Sequence, residues 1–333
     1  MKKSSLILLI MDIFAIICLF ILYGPFSYIR NTFIATAMET ASHHYLARTF
    51  YSDRLINEVL KNNYVEEFTN NTNTSDITFD NTDTGNYESV YEEQILKRDK
   101  DTLYKIIEID ESSYKGYMAV IYDPSKLKLV MAKYLDEGGQ KIDTIAKEND
   151  ALVAINASGH YYPNGYEAYS IKPAGTVILD GKIYSVGTDP GFGGGLIGFT
   201  YDNVLMLTKE DAVEAISHGM KDAVSFGPFL IVNGEAASIK GNGGYGIAPR
   251  TAIGQRKDGI VLLLVIDGRS INSLGIDMSS MIDIFKRYKA YNAANLDGGG
   301  SSAMLADGVI LNNPVNNGKE TSRYISNAWI LTN

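Results

Sequence analysis

The sequence carries a single cysteine, Cys18, in 333 residues. No intrachain disulfide can form, and metal sites built on several thiolates are ruled out. Histidine is nearly as scarce: His43, His44, His160 and His218 are the full set, and none shows the spacing of a metalloprotease or a zinc deaminase. Zinc hydrolysis is therefore disfavoured. The composition requires no cofactor and is compatible at most with a carboxylate-bound divalent cation. Basic charge is also short, with 30 Lys and Arg against 39 Asp and Glu and a formal net charge of -9. That balance argues against a nucleic-acid partner, because neutralising phosphates takes a basic surface.

Long apolar runs are absent but for one. Residues 4–23 are apolar except for two serines and Asp12, about the length a helix needs to cross the hydrocarbon core. Lys2 and Lys3 precede the run and Arg30 follows it, so the positive-inside bias places the amino terminus in the cytoplasm and the remainder outside. Asp12 costs roughly 2.5–3.5 kcal/mol near mid-membrane, which the surrounding Leu, Ile and Phe residues can offset. The alternative is a cleaved signal peptide, with Ala35-Thr36-Ala37 as a weak cleavage-like site. The reading adopted is an uncleaved signal-anchor over residues 1–30 in a cell-membrane protein with an extracytoplasmic carboxy-terminal domain.

Between 33 and 60 there is no Gly or Pro, and apolar residues recur at helical spacing. This predicts a helical stalk or homo-oligomerisation element over 31–61, with His43 and His44 on its surface. Residues 62–86 are rich in Asn, Thr and Asp, a composition that predicts a linker without a fixed fold over 62–90. The remaining 91–333 reads as one domain. Strands are expected at 117–122, 126–131, 152–155, 176–179, 196–200, 204–207, 229–232, 252–255, 260–266, 292–296 and 323–331. Helices are expected at 141–147, 209–217 and 279–288. Turn signals at Asp180-Gly181, Asp258-Gly259 and Asp307-Gly308 mark hairpins. Many strands and few helices predict an α+β class: a strand-rich mixed or antiparallel sheet domain with a few packed helices.

The strongest local signal is Asn295-Leu296-Asp297-Gly298-Gly299-Gly300-Ser301-Ser302, following an apolar strand. Three glycines after a carboxylate let the backbone approach a ligand and turn its N–H groups inward, and the serines add hydroxyls. No Lys follows the glycines as a P-loop requires, and the string is not the elbow of a serine hydrolase. Pro249-Arg250-Thr251-Ala252 opens a hairpin whose buried return strand ends at Asp267-Gly268-Arg269. Taken alone that end reads as a solvated loop. Asn156-Ala157-Ser158-Gly159-His160 repeats the pattern of a buried strand running into small polar residues, with His160 as readily structural as catalytic.

These segments, with Gly227-Pro228-Phe229 and Asn312-Asn313-Pro314, stand in the order seen in the phosphodiester glycosidase family. The chain resembles that family over about 151–331, and the family includes bacterial proteins labelled exopolysaccharide biosynthesis. Many members have Asn-Gly-Gly-Phe-Phe where this chain has Asn156-Ala157-Ser158-Gly159-His160. The resemblance implies hydrolysis of the sugar C1–O bond in sugar-1-phosphodiesters of cell-envelope glycans or glycolipids. It makes Asp297 the leading carboxylate and Asp267 the second. It makes Arg250, with Thr251, the phosphate ligand, backed by Arg269 and Arg323, while Gly298, Gly299, Gly300, Ser301 and Ser302 line an anion nest. Asn156 and Asn295 are then expected to meet sugar hydroxyls. Two rivals remain: a phosphodiesterase cleaving P–O, and a non-catalytic exopolysaccharide-binding or assembly factor.

Overall fold

A computed structural model describes residues 3–40, 43–163, 170–187, 194–316 and 318–333. The chain divides into two compact units. One comprises Met1–Glu66, Ile239–Ile247 and Asp277–Ser279, and the other Glu67–Ser238, Ala248–Ile276 and Ser280–Asn333.

In the first unit, helix Lys3–Tyr23 contains a stretch, Ser5–Tyr23, long and apolar enough to cross a membrane, none of it buried. The continuous helix expected over 33–60 is instead three: Ser27–Met38, His44–Phe50 and Asp53–Asn62. The last break has a local cause. Tyr51 is extended, and the Ser52 hydroxyl accepts from Leu55 N, so Ser52 caps a new helix rather than continuing the old one. The helices bury Ile34, Ala37, Ala47, Tyr51, Ile56 and Val59 against each other. The Tyr51 hydroxyl donates to Leu22 O at 3.0 Å. Ala35 and Ala37, the cleavage-like residues, are buried within helix Ser27–Met38. The apolar periodicity that suggested a straight stalk is thus spent inside a small helical cluster.

The second unit is built on three antiparallel sheets. A seven-stranded sheet runs in the order Glu235–Ala236, Phe229–Val232, Ala290–Leu296, Arg250–Arg256, Val261–Ile266, Lys115–Ile121 and Tyr104–Asp110. A five-stranded sheet contains Val309–Ile310, Met304–Ala306, Val153–Asn156, Asn327–Leu331 and Leu127–Met131. Another contains Leu205–Thr208, Gly195–Thr200, Met220–Phe226, Val177–Leu179 and Lys182–Ser185. Their inner faces meet in one apolar core. Trp329, fully buried, packs edge-on against Phe199 from another sheet with ring centroids 5.4 Å apart. Helix Ile142–Glu148 covers the outer face of the second sheet, and helix Ala212–Ser217 that of the third. The α+β expectation holds.

The longest strands to escape the sequence pattern are Tyr104–Asp110 and Met220–Phe226. The latter contains Asp222, a buried acid whose carboxylate accepts from Asp180 N at 2.9 Å and so serves the neighbouring turn. The strand expected from 323 begins only at Asn327. The polar segment expected to lack a fold is tied down by hydrogen bonds, with Phe68 packed against the core and Ile77 buried. Thr72 exchanges two with Leu207, each 3.0 Å, Asn73 N donates to Asn233 Oδ1, and Thr78 N donates to Lys257 O. Composition scales count apolar area and miss this edge pairing.

Candidate active site

Sheet register brings the sequence motifs together. Thr251 pairs with Leu296 and Arg250 with Ile266, so Arg250, Asp267 and Asp297 all stand at one end of three adjacent strands. Asp297 N donates to Ala157 O at 3.1 Å, joining this end to the strand that carries Asn156 in the second sheet. The site lies where those two sheets meet.

Each of the three glycines answers a close approach. A Cβ on Gly298 would stand 2.9 Å from Pro249 O. One on Gly299 would stand 3.0 Å from Arg269 Nη2, and one on Gly300 2.9 Å from Asn316 Oδ1 and 3.2 Å from Arg323 Nη2. Gly299 also adopts φ +62°, which disfavours any side chain. Two guanidiniums therefore lean over a loop with no side chains of its own. The expected nest of inward N–H groups is mostly not there. Gly299 N donates to Pro249 O, Ser301 N to Gly298 O and Ser302 N to Gly299 O, closing a 3-10 turn on itself. Positive charge at this loop comes from arginine side chains, not from backbone dipoles.

Asp297 is half-buried. Burial pushes its carboxyl up to about 6, while Ser301, Arg323 and the Gly298 N–H hold it down. The Ser301 hydroxyl lies near enough to exert that pull yet makes no well-aligned hydrogen bond. Burial first, and then the nearby Arg323, lowers the Arg269 guanidinium from its ordinary value. Arg323 Nε donates to Asn316 Oδ1 at 3.3 Å. Neither arginine forms an ion pair with a carboxylate among the described residues. His160 is also held by burial, and secondarily by Arg323, down at about 4, so its imidazole is neutral at pH 7. Its Nε2 lies 3.3 Å from the Tyr162 hydroxyl. Ser301 Oγ, Ser302 Oγ, Asn295 Oδ1 and His160 Nδ1 are all buried without a hydrogen-bond partner among the described residues. Orphaned polar atoms are costly in a protein interior, and their concentration at one loop marks a ligand site.

Several expected roles change. Asn156 is fully buried: its Nδ2 donates to Asp297 O at 2.6 Å, while its Oδ1 accepts from Thr251 Oγ1 and Ala303 N. Through these bonds Asn156 and Thr251 hold the loop in place. Asn295 spends Nδ2 on Gly227 O and keeps Oδ1 unpartnered. Asp267 accepts from Asn312 Nδ2 and Asn313 N on the same oxygen, at 2.9 and 2.8 Å. Burial raises its pKa against those two bonds, and neither Asp297 nor an arginine contributes. It anchors the segment carrying Asn312 and, through Asn312 Nδ2, the Ser302 carbonyl. Arg250 is buried, donates Nε to Ile276 O and lies against Gly298, while Arg269 and Arg323 lie against Gly299 and Gly300. Asn316, which supports Arg323, carried no sequence signal. No group of three or more His, Cys, Asp or Glu side chains able to hold a metal occurs among the described residues.

Fold and site together define an antiparallel α+β protein with one perturbed carboxylate beside an arginine-lined anion site. The family model for phosphodiester glycosidases matches residues 149–332, and the chain belongs to that family. It is 33% identical over 177 residues to the SPbeta prophage-derived uncharacterized protein YomE of Bacillus subtilis, covering 51% of this chain and 26% of that one. It is 35% identical over 68 residues to N-acetylglucosamine-1-phosphodiester alpha-N-acetylglucosaminidase of Bos taurus, covering 20% of this chain and 13% of that enzyme. The chain thus spans about a quarter or less of these relatives' length. The zebrafish N-acetylglucosamine-1-phosphodiester alpha-N-acetylglucosaminidase catalytic domain, auto-inhibited by its pro-peptide, shares the fold. The TM-score is 0.55 at 21% identity, over 71% of this chain and 86% of that domain.

Proposed function

We propose that this chain hydrolyses the sugar C1–O bond of sugar-1-phosphodiesters in cell-surface glycans, anchored in the cell membrane by its N-terminal helix with the catalytic unit outside. The observation that carries this reading is one ionisable carboxylate, Asp297, near Arg323, with Arg269 and Arg323 leaning over a side-chain-free loop and neither ion-paired to a carboxylate among the described residues. Arg269 and Arg323 grip the phosphodiester, which stays anionic at every physiological pH. The departing phosphate monoester has a second pKa of about 6, so it leaves with little protonation help, and one carboxylate suffices where glycosidases usually need two. Asp297 faces the positive charge that develops at C1, as nucleophile or as base toward water, and the anomer released reports which. Neutral His160, Asn295 Oδ1 and the Ser302 hydroxyl offer hydrogen bonds to sugar hydroxyls.

The family and its named relatives make an N-acetylglucosamine-1-phosphodiester the first substrate to try. Free N-acetylglucosamine with a phosphate monoester supports the proposal. N-acetylglucosamine-1-phosphate as the product would instead indicate a phosphodiesterase. Binding without product, across a panel of sugar-1-phosphodiesters, would leave only a glycan-binding role.

A further inference from the structure

Next to the site lies an open groove of about 710 Å³ that hydrolysis of a small diester does not require. Tyr134, Tyr161 and Tyr184 line it, each close to half exposed. None of their hydroxyls is spent on a hydrogen bond among the described residues. Tyrosine is amphipathic, and three such rings gathered at one concavity offer flat apolar faces with polar rims. Ser185 Oγ, a further buried hydroxyl without a partner, belongs to the same lining. Asp136 and Lys172 add charged hydrogen-bonding groups at the edge.

The walls are pre-formed. The 3-10 turn Leu135–Glu137 is closed by Gly138 and Gly139, both at positive φ, with Gly139 N donating to Tyr134 O at 2.7 Å and Ile171 N to Leu135 O at 2.8 Å. Tyr184 stands on strand Lys182–Ser185. Tyr161 sits on the short strand His160–Tyr161, paired with Lys172–Pro173. Successive residues of a strand face opposite ways, so this one element turns His160 toward the buried site and Tyr161 toward the groove. The groove thus begins one residue along the chain from His160.

We infer that this groove binds the glycan portion of an oligosaccharide-bearing substrate, with pyranose rings laid against Tyr134, Tyr161 and Tyr184. A pyranose presents an apolar C–H face and a rim of hydroxyls, which matches aromatic faces bordered by Ser185, Asp136 and Lys172. The arginines that suit a phosphodiester are at the glycine loop and not among the groove's lining, so the two regions divide the substrate between them. The assignment of this glycan to the substrate rests on the glycosidase reading; its test does not.

The test is binding of the full chain in detergent to an array of tetra- to hexasaccharides from chitin, glucan and mannan series. The expected result is binding to at least one series that strengthens with chain length and survives Asp297→Asn, so that failed hydrolysis would leave the readout intact. Each ring should contribute roughly three- to tenfold in affinity, so Tyr134→Ala/Tyr161→Ala/Tyr184→Ala should lose about a hundredfold. The matching triple Phe variant should keep most of the binding. No binding to any series, no dependence on length, or an Ala variant that binds like wild type would overturn the inference, as would a Phe variant that loses as much as the Ala variant.

Discussion

Strand Arg250–Arg256 has a buried arginine at each end, and its two ends are finished in opposite ways. At one end each nitrogen of Arg256 has a partner. Its Nε and Nη2 grip Asp258 at 3.1 and 2.6 Å, and its Nη1 donates to Tyr288 O at 2.9 Å. At the other end Arg250 gives its Nε to Ile276 O, while Arg269 and Arg323 lean over the glycine loop with no carboxylate partner, and four polar atoms lack a partner, among the described residues. A finished network holds a fold together, and an unfinished one awaits a ligand. The difference separates a structural arginine from a functional one where residue type and burial do not.

The largest expected effect is on rate, at the unfinished end. Asp297→Asn should lower kcat by at least about 10²-fold, the lower bound for an acid–base group, measured by release of free sugar. The same variant should melt higher at pH 7.5. The folded pKa of about 6 lies above the ordinary carboxylate value of 3.8, so the charged form is disfavoured by folding. That penalty is full above pH 6, shrinks as pH falls toward 4 and is gone below it. The melting advantage of Asn should follow the same course. A variant that melts lower at pH 7.5 and keeps its rate would make Asp297 a structural cap.

Arg323→Ala should reduce kcat/KM by roughly 10- to 100-fold, as expected for a charge-assisted phosphate contact of about 1.5–3 kcal/mol. Arg269→Ala should do the same. In wild type, kcat/KM should fall about tenfold per pH unit below pH 6, because the substrate does not titrate there and Asp297 does. A flat profile between pH 4.5 and 6 would remove Asp297 from the reacting centre. The smallest effect on rate belongs to the finished end. Asp258→Ala leaves Arg256 buried and half-partnered, so stability in urea should drop by about 3 kcal/mol, while kcat below the melting point stays within about twofold. A loss of activity there as large as at Arg323 would erase the contrast between the ends.

Which parts of this were readable in the sequence follows from what each signal measures. Asp180-Gly181 and Asp307-Gly308 announced their hairpins because two successive left-handed residues suit Asp and Gly, and both pairs adopt positive φ. The run 260–266 announced a buried strand, and the glycine string announced close approach, which Arg269, Arg323 and Pro249 supply. Side-chain direction was not readable. Nothing in the sequence shows that Arg250 gives its Nε to Ile276 O, and Arg323 lies before the strand it was expected to join. Asn156 looked like a ligand because nothing in one dimension shows that Thr251, Ala303 and Asp297 already occupy it. The expected continuous helix is broken twice, the second time by a cap at Ser52, and the polar segment after it is held by hydrogen bonds to a sheet edge that leave no apolar pattern.

The account stands or falls on which bond breaks. Hydrolysis of an N-acetylglucosamine-1-phosphodiester in ¹⁸O-labelled water, with products analysed by mass spectrometry, locates the break directly. Cleavage of C1–O predicts the label in the anomeric hydroxyl of the released sugar and none in the phosphate monoester. Label in the phosphate would mean that water attacked phosphorus, with Asp297 and the two arginines serving a phosphodiesterase instead.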